Sequence, residues 1–193
     1  LFDIHSHLGV FSFPYYGSTD DGNEISDPLL PQVNALDAFA PKDPMIEVLM
    51  RYGITSSLVL PGSTNVMGGQ GMFIKLIPNT HSVDQMLISG APRALKFACG
   101  ENPKNFYGDK GSPQSRMGTA WLLRKRFSEA RELMRQQDRW DCENQDASPD
   151  GPISDRPYDL GLEPLVTLLR GKDQIYLNMH CYQVHDFEMM VRV

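Results

Sequence analysis

Short apolar runs, most of them closed by a side chain able to bind a metal or move a proton, most constrain how this chain can fold. Residues 1–10 (LFDIHSHLGV) read as a strand ending on His5-Ser6-His7. Residues 54–60 (ITSSLVL) are β-branched and apolar and close on Pro61-Gly62. Residues 94–99 (ALKFAC) run straight into Gly100-Glu101, and residues 174–182 (QIYLNMHCY) carry His180 near their end. Segments of helical period lie between them. Over 117–138 the apolar residues Ala120, Leu123, Phe127, Ala130 and Met134 recur at three and four positions. Over 160–170 Leu162, Leu165, Val166 and Leu169 do the same, with Gly171 as the stop. Asp43-Pro44 opens a shorter helix whose stripe is Ile46, Leu49 and Met50, ended by Gly53. This alternation predicts an α/β fold with parallel strands. Minor elements are a short helix over 82–87, an extended run over 72–76 after a loop at 62–71, and the first turns of an amphipathic helix at 187–193.

His5, His7, Glu101 and His180 all fall at the C-terminal ends of predicted strands, the face on which active sites assemble in a β/α barrel. Alternate strand residues share a face, so His5 and His7 point the same way, about 7 Å apart at ~3.4 Å per residue. They can converge on one ion if the strand end bends, and neutral imidazole is the commonest protein ligand of transition metals. Chance proximity explains many His-x-His pairs; here the pair ends an apolar strand and Gly9 follows it. Glu101 is placed to act as a ligand or general base, with an N-cap or loop acid as the plain alternative. On the last strand Asn178, His180 and Tyr182 share a face. His81 and His185 read as surface residues, and Arg124-Lys125-Arg126 as a solvated helix face. Gly68-Gly69 fits neither the P-loop nor the GxGxxG pattern.

The chain has 193 residues, 41% of them hydrophobic and 22% charged, enough for a substantial core. A net charge of −6 argues against nucleic acid or an anionic membrane as the main partner, and no run of about 18 apolar residues spans a bilayer. Cys99, Cys142 and Cys181 are too few and too irregular for a disulfide framework or a zinc finger; they allow one bridge and leave one thiol. Two polar stretches stand out, 11–42, too long for a plain connector, and 140–157, which reads as a surface insertion. The first residue already lies in a strand and the last helix stops abruptly. Residues 1–193 therefore read as one partial domain of a longer protein, cut at both ends.

FDIHSHLG resembles the His-x-His signature that opens the barrel of metal-dependent amidohydrolases. GITSSLVLPGSTNVMGGQGMFIKL, ALKFACGENPKNFYG, SRMGTAWLLRKRF and LEPLVTLLRGKDQIYLNMHCYQVHDFEMMVRV are similar to successive blocks of imidazolonepropionase-like members, with fungal carbohydrate esterase family 9-like proteins as the nearest group. The resemblance covers nearly the whole chain apart from 140–157. It implies about the first half of a (β/α)8 TIM-type barrel with long loops at the C-terminal strand ends, holding one or two divalent metals, commonly zinc. The implied activity is hydrolysis of amide or other C–N bonds, of the deacetylase or cyclic amidohydrolase type. His5, His7 and His180 match metal ligands, and Glu101 matches an acidic ligand with a catalytic part. Other branches use a carboxylated lysine, for which Lys96 lies in the strand without aligning to the modified position. A further strand-end His and a catalytic Asp would lie beyond Val193, and a membrane or secretory segment upstream of Leu1.

The expected chemistry is hydrolysis by metal-activated water, with His5, His7, His180 and Glu101 as ligands. The expected substrate is a small amide or N-acyl compound touched by the loops at 11–42 and 62–71 and by Tyr182. The remainder of the barrel, or a second chain, is needed to cover the sheet edges. The rival reading is a non-catalytic barrel fragment or binding module. A purely structural zinc site would call for clustered cysteines, which the chain lacks.

Overall fold

A computed structural model describes residues 1–144, 154–171 and 175–193. Strands β1 (Phe2–Ser6), β2 (Ser56–Val59), β3 (Met67–Lys75), β4 (Arg93–Ala98) and β5 (Ile175–His180) form one sheet in chain order. Helices α1 (Met45–Arg51), α2 (Glu101–Tyr107), α3 (Arg116–Glu143), α4 (Glu163–Arg170) and α5 (Val184–Arg192) accompany them.

The sheet is not wholly parallel, which corrects the sequence reading. β1 and β2 run parallel, as do β4 and β5, but β3 is antiparallel to both neighbours. The β2–β3 connection spans only residues 60–66, too short for the crossover a parallel neighbour requires. The expected loop at 62–71 is half strand, because β3 begins at Met67. Its Met67-Gly68-Gly69-Gln70-Gly71 run hides a strand from propensity, since glycine is depleted in strands. The glycines are there for close approach. Gly68 is the extra residue of a bulge, Met67 facing Phe97 and Gly69 facing Lys96. Gly69 has φ +116, and a Cβ on it would stand 2.6 Å from the Val33 carbonyl oxygen.

Alternate residues divide the strands between two faces. Val59, Met72, Ile74, Leu95, Phe97 and Ile175 belong to the two large apolar clusters. One cluster joins β4 and β5 to Leu123, Ala130 and Leu133 of α3 and Leu165 and Val166 of α4. The other joins β2 and β3 to Ile46 of α1 and to Val10 and Phe39. Among the described residues the opposite face carries only a small cluster, Leu58, Leu60 and Ala94 with Phe73.

The helices start and stop on local chemistry. The Ser115 hydroxyl accepts the Gly118 N–H at the head of α3, and Gly171 ends α4 in the left-handed conformation. Asp43 accepts the Met45 N–H at 2.9 Å and also the N–H groups of Gly9 and Phe13, so one buried carboxylate starts α1 and ties down the chain after β1. α3 runs to Glu143, past the expected end at 138; α4 and α5 begin at Glu163 and Val184 rather than 160 and 187. The helix expected at 82–87 is a single 3-10 turn, Val83–Gln85, and α2 was not foreseen. Much of the expected insertion at 140–157, and Gln174 at the head of the last strand, lie outside the described residues.

The long 11–42 stretch is bound to the sheet. Met67 N–H donates to Pro28, Leu30 N–H to Met67, and Gln70 N–H to Val33. Asn65, 1% exposed, donates its amide to the carbonyls of Glu24 and Asp27 and to the Tyr107 hydroxyl. Cys99 and Cys181 form the one disulfide among the described residues, leaving Cys142 as an exposed thiol. Closing 82 residues of chain this way stabilises the fold by roughly 4–5 kcal/mol on the chain-entropy estimate.

Buried Asp186 accepts hydrogen bonds from Arg116 at 2.7 Å and from the Gln183 N–H at 3.1 Å, joining the starts of α3 and α5. Burial acts to raise its carboxyl, but those bonds and the Arg116 and His185 charges hold it below the ordinary 3.8. A carboxyl depressed by folding contributes stability above its unfolded value, and that contribution is lost as pH falls through the folded value. Asp186→Asn should therefore lower the unfolding free energy by about 1.5–3 kcal/mol at pH 7. The gap to wild type should narrow as pH drops below 3.8, as read by urea denaturation across a pH series. In the same assay Asn65→Ala, which strands several buried acceptors, should cost about 2–3 kcal/mol at neutral pH.

Candidate metal centre

The rings of His5 on β1 and His180 on β5 have centroids 6.2 Å apart. In a flat sheet these strands, four spacings apart, would be about 19 Å from each other at ~4.8 Å per spacing. The sheet is therefore curled into half of a barrel, with the sparsely filled face inward. Glycine and alanine make room there: Gly69 faces Lys96 and Gly71 faces Ala94 across the β3–β4 ladder, and a Cβ on Gly71 would stand 2.6 Å from Leu60 Cδ2.

A second bulge aims the histidines. Asp3 pairs with Ser57, yet Ser6 pairs with Val59, so β1 advances three residues while β2 advances two. The extra residue turns Ser6 to the outer face with Val59 and turns His5 and His7 inward with Leu58 and Leu60. Without it the pleat would carry both imidazoles to the helix side. The expected bend of the strand end is this bulge.

Five rings form a continuous arc across the inner face. Phe11 meets His7 edge-on at 5.6 Å, His7 meets His5 at 5.2 Å, and His180 meets Tyr182 at 5.1 Å. His7 Nδ1 lies 2.8 Å from the Leu60 carbonyl oxygen. A carbonyl can only accept, so Nδ1 carries the proton and Nε2 keeps its lone pair. The Tyr182 hydroxyl donates to Asn102 Oδ1 at 2.8 Å, tying the end of β5 to α2.

Lys96 sits among the imidazoles. It is wholly buried, its Nζ is 3.4 Å from His5 Nε2, and no carboxylate pairs with it among the described residues. Burial pushes its ammonium down to about 8. His5, His7 and His180 are each held below 6.5, first by burial, with the Lys96 charge acting in the same direction. The imidazoles are therefore neutral near pH 7, the form that donates a lone pair.

Two imidazoles on one zinc at about 2.0–2.1 Å and the tetrahedral angle have centroids roughly 5 Å apart. The His5–His7 pair, at 5.2 Å, fits that span, and His180, at 6.2 Å from His5, stands somewhat wide of it. No group of three or more His, Cys, Asp or Glu among the described residues is already drawn together as a complete metal set. Glu101 is not brought to the cluster. It begins α2, is exposed, and its charge acts on Arg116. Tyr182 is brought beside His180, while His81 and His185 are exposed.

Sequence reasoning passed over the centrality of Lys96 and the parts of Phe11 and Asn102. One signal was available for Lys96: a lone lysine between Leu95 and Phe97 in an otherwise apolar strand is either unpaired and costly or functional. Phe11 and Asn102 left no signal, because their contacts depend on the loop path and on α2.

No family model matches the chain. Over 99% of its length it is 38% identical to Amidohydrolase tasK of Hapsidospora irregularis, of which it spans 20%. Its fold matches the crystal structure of an amidohydrolase from Thermotoga maritima MSB8 with a TM-score of 0.86 and 35% identity, covering 99% of this chain and 47% of that one. Both relatives are amidohydrolases by name. These similarities support the amidohydrolase family; neither bears on an imidazolonepropionase-like or carbohydrate esterase placement.

An uncompensated buried ammonium destabilises the fold. Lys96→Met keeps the volume and removes the charge, so it should raise the unfolding free energy of metal-free protein by about 1–4 kcal/mol, measured by thermal or urea denaturation.

Proposed function

We propose that this chain contributes the opening half of the active site of a metal-dependent hydrolase that cleaves amide or related C–N bonds within a TIM-type barrel. The observation that carries the proposal is the convergence of His5, His7 and His180 on Lys96, from strands at opposite edges of a curled sheet. The names of the two relatives support the reaction class and weigh against a non-catalytic module. Their lengths, of which this chain spans 20% and 47%, support a site completed by further chain.

His5 and His7 would hold a divalent ion such as zinc, with His180 closing toward it. Bound there, such an ion supplies Lewis-acid polarisation of a carbonyl and acidifies water to a pKa near 7. The bond from His7 Nδ1 to the Leu60 carbonyl fixes the ring and leaves the Nε2 lone pair free for an ion. Lys96 takes the anionic part better than Glu101 does. A buried ammonium beside the ligands would repel a cation, whereas the neutral amine adds carbon dioxide to give a carbamate and one proton, a negative group in the same place. Phe11 and Tyr182, at the two ends of the ring arc, flank the position a small amide or N-acyl substrate would take.

The test uses the full-length natural protein. Zinc is measured by elemental analysis, and turnover is assayed with N-acyl amino acids, N-acetyl hexosamines and cyclic ureides. His5→Ala with His7→Ala should abolish both metal and turnover, and Lys96→Ala should lower metal content with partial rescue by added short carboxylic acids. Turnover that survives loss of both histidines would sink the proposal.

A further inference from the structure

The Cys99–Cys181 bridge has no part in the chemistry above, yet it meets the sheet beside His180. Cys99 is the first residue beyond β4 and is wholly buried; Cys181 directly follows His180 and is half-buried. The Cys99 N–H donates to the His180 carbonyl at 2.9 Å. One residue further on, Gly100, at φ +73, leaves space that a Cβ would take from Asp186 Oδ2, 2.6 Å away, and Tyr182 Cδ2, 3.4 Å away.

The β4–β5 ladder closes on the pair Ala98 and His180. The end of a ladder opens more readily than its middle. His180 is the last residue of β5, so its ring is aimed by the part of the strand most prone to fray. The covalent link at the next residue holds that end to β4.

We propose that the Cys99–Cys181 bridge is a positioning element that keeps His180 against His5, and that its reduction by a dithiol lets His180 leave the cluster. The inference rests on the proposed function in assigning His180 to the site. Thiolate attack at the sulfur of Cys181, the less buried residue of the pair, breaks the S–S bond and forms a mixed disulfide. The second thiol of the reagent then closes on the first. Two electrons and two protons pass to the cysteine sulfurs, and the reagent leaves as a cyclic disulfide.

The experiment uses full-length natural protein reduced anaerobically with dithiothreitol, desalted, and compared with the bridged form and with a Cys99→Ala/Cys181→Ala variant. Amide deuterium exchange is followed for residues 175–182 and 2–8, and zinc affinity is measured by competition with a chelator. Reduction should speed exchange about tenfold or more over 175–182 while leaving 2–8 unchanged, and should weaken zinc binding about tenfold. The double variant should show the reduced-form values in either redox condition. Equal acceleration in both segments with unchanged zinc affinity would show a merely global brace and overturn the proposal. Because the reduced wild type needs no substitution, misfolding of the variant does not remove the test. A protein that binds no zinc in either form refutes the proposed function, and the exchange contrast then decides the clamp by itself.

Discussion

Strands at opposite ends of a five-stranded sheet can place imidazole centroids 6.2 Å apart only when the sheet is rolled. The roll follows from an imbalance between its faces. The outer face buries Val59, Met72, Ile74, Leu95, Phe97 and Ile175 beneath helices and loops, so most of the apolar driving force acts there. The inner face offers little volume near its centre, where Gly69, Gly71, Ala94 and Ala98 stand around Lys96. Large inner side chains at those positions would hold the sheet open. Small ones let it close until the long polar side chains meet over the trough.

The bulge in β1 adds direction to that convergence. A sheet has a period of two, so one extra residue moves every later side chain to the other face. His5 and His7 face the trough because β1 carries that residue between Asp3 and Ser6. The bulge in β3 does a similar service, seating Gly69 opposite Lys96. Polar groups at the centre come at a cost that the outer clusters offset, a common relation between stability and function. Lys96 is its sharpest instance, a buried ammonium set 3.4 Å from an imidazole that holds no negative charge.

Much of the architecture was legible in the sequence because it rests on local chemistry. The stripes at Leu123 and Ala130 and at Leu165 and Val166 have helical spacing and do pack on the sheet, where Leu133 joins them. Gly171 ends α4 as its residue type suggests. β3 was half hidden because its glycines serve close approach to Val33 and Leu60 rather than strand propensity. Its antiparallel direction followed from a short connection whose ends could not be seen until the strand was. Glu101 looked well placed because it follows a buried strand, but a helix begins at that residue and carries it toward Arg116.

The sequence by itself determined which residues stand at the ends of strands: His5, His7 and His180 are there because apolar runs stop at them. It also carries the likeness to amidohydrolases from which a chemistry for those residues is proposed. Only the tertiary structure decided that Lys96 is their common neighbour, that Cys99 pairs with Cys181 rather than Cys142, and that Asn65 fastens the long loop to the sheet. Each of these depends on curl, register or the path of a loop, quantities set by contacts between residues far apart in the chain. The two bulges lie between these cases. Their residues are local, but whether a residue is extra shows only when its partner strand is paired beside it.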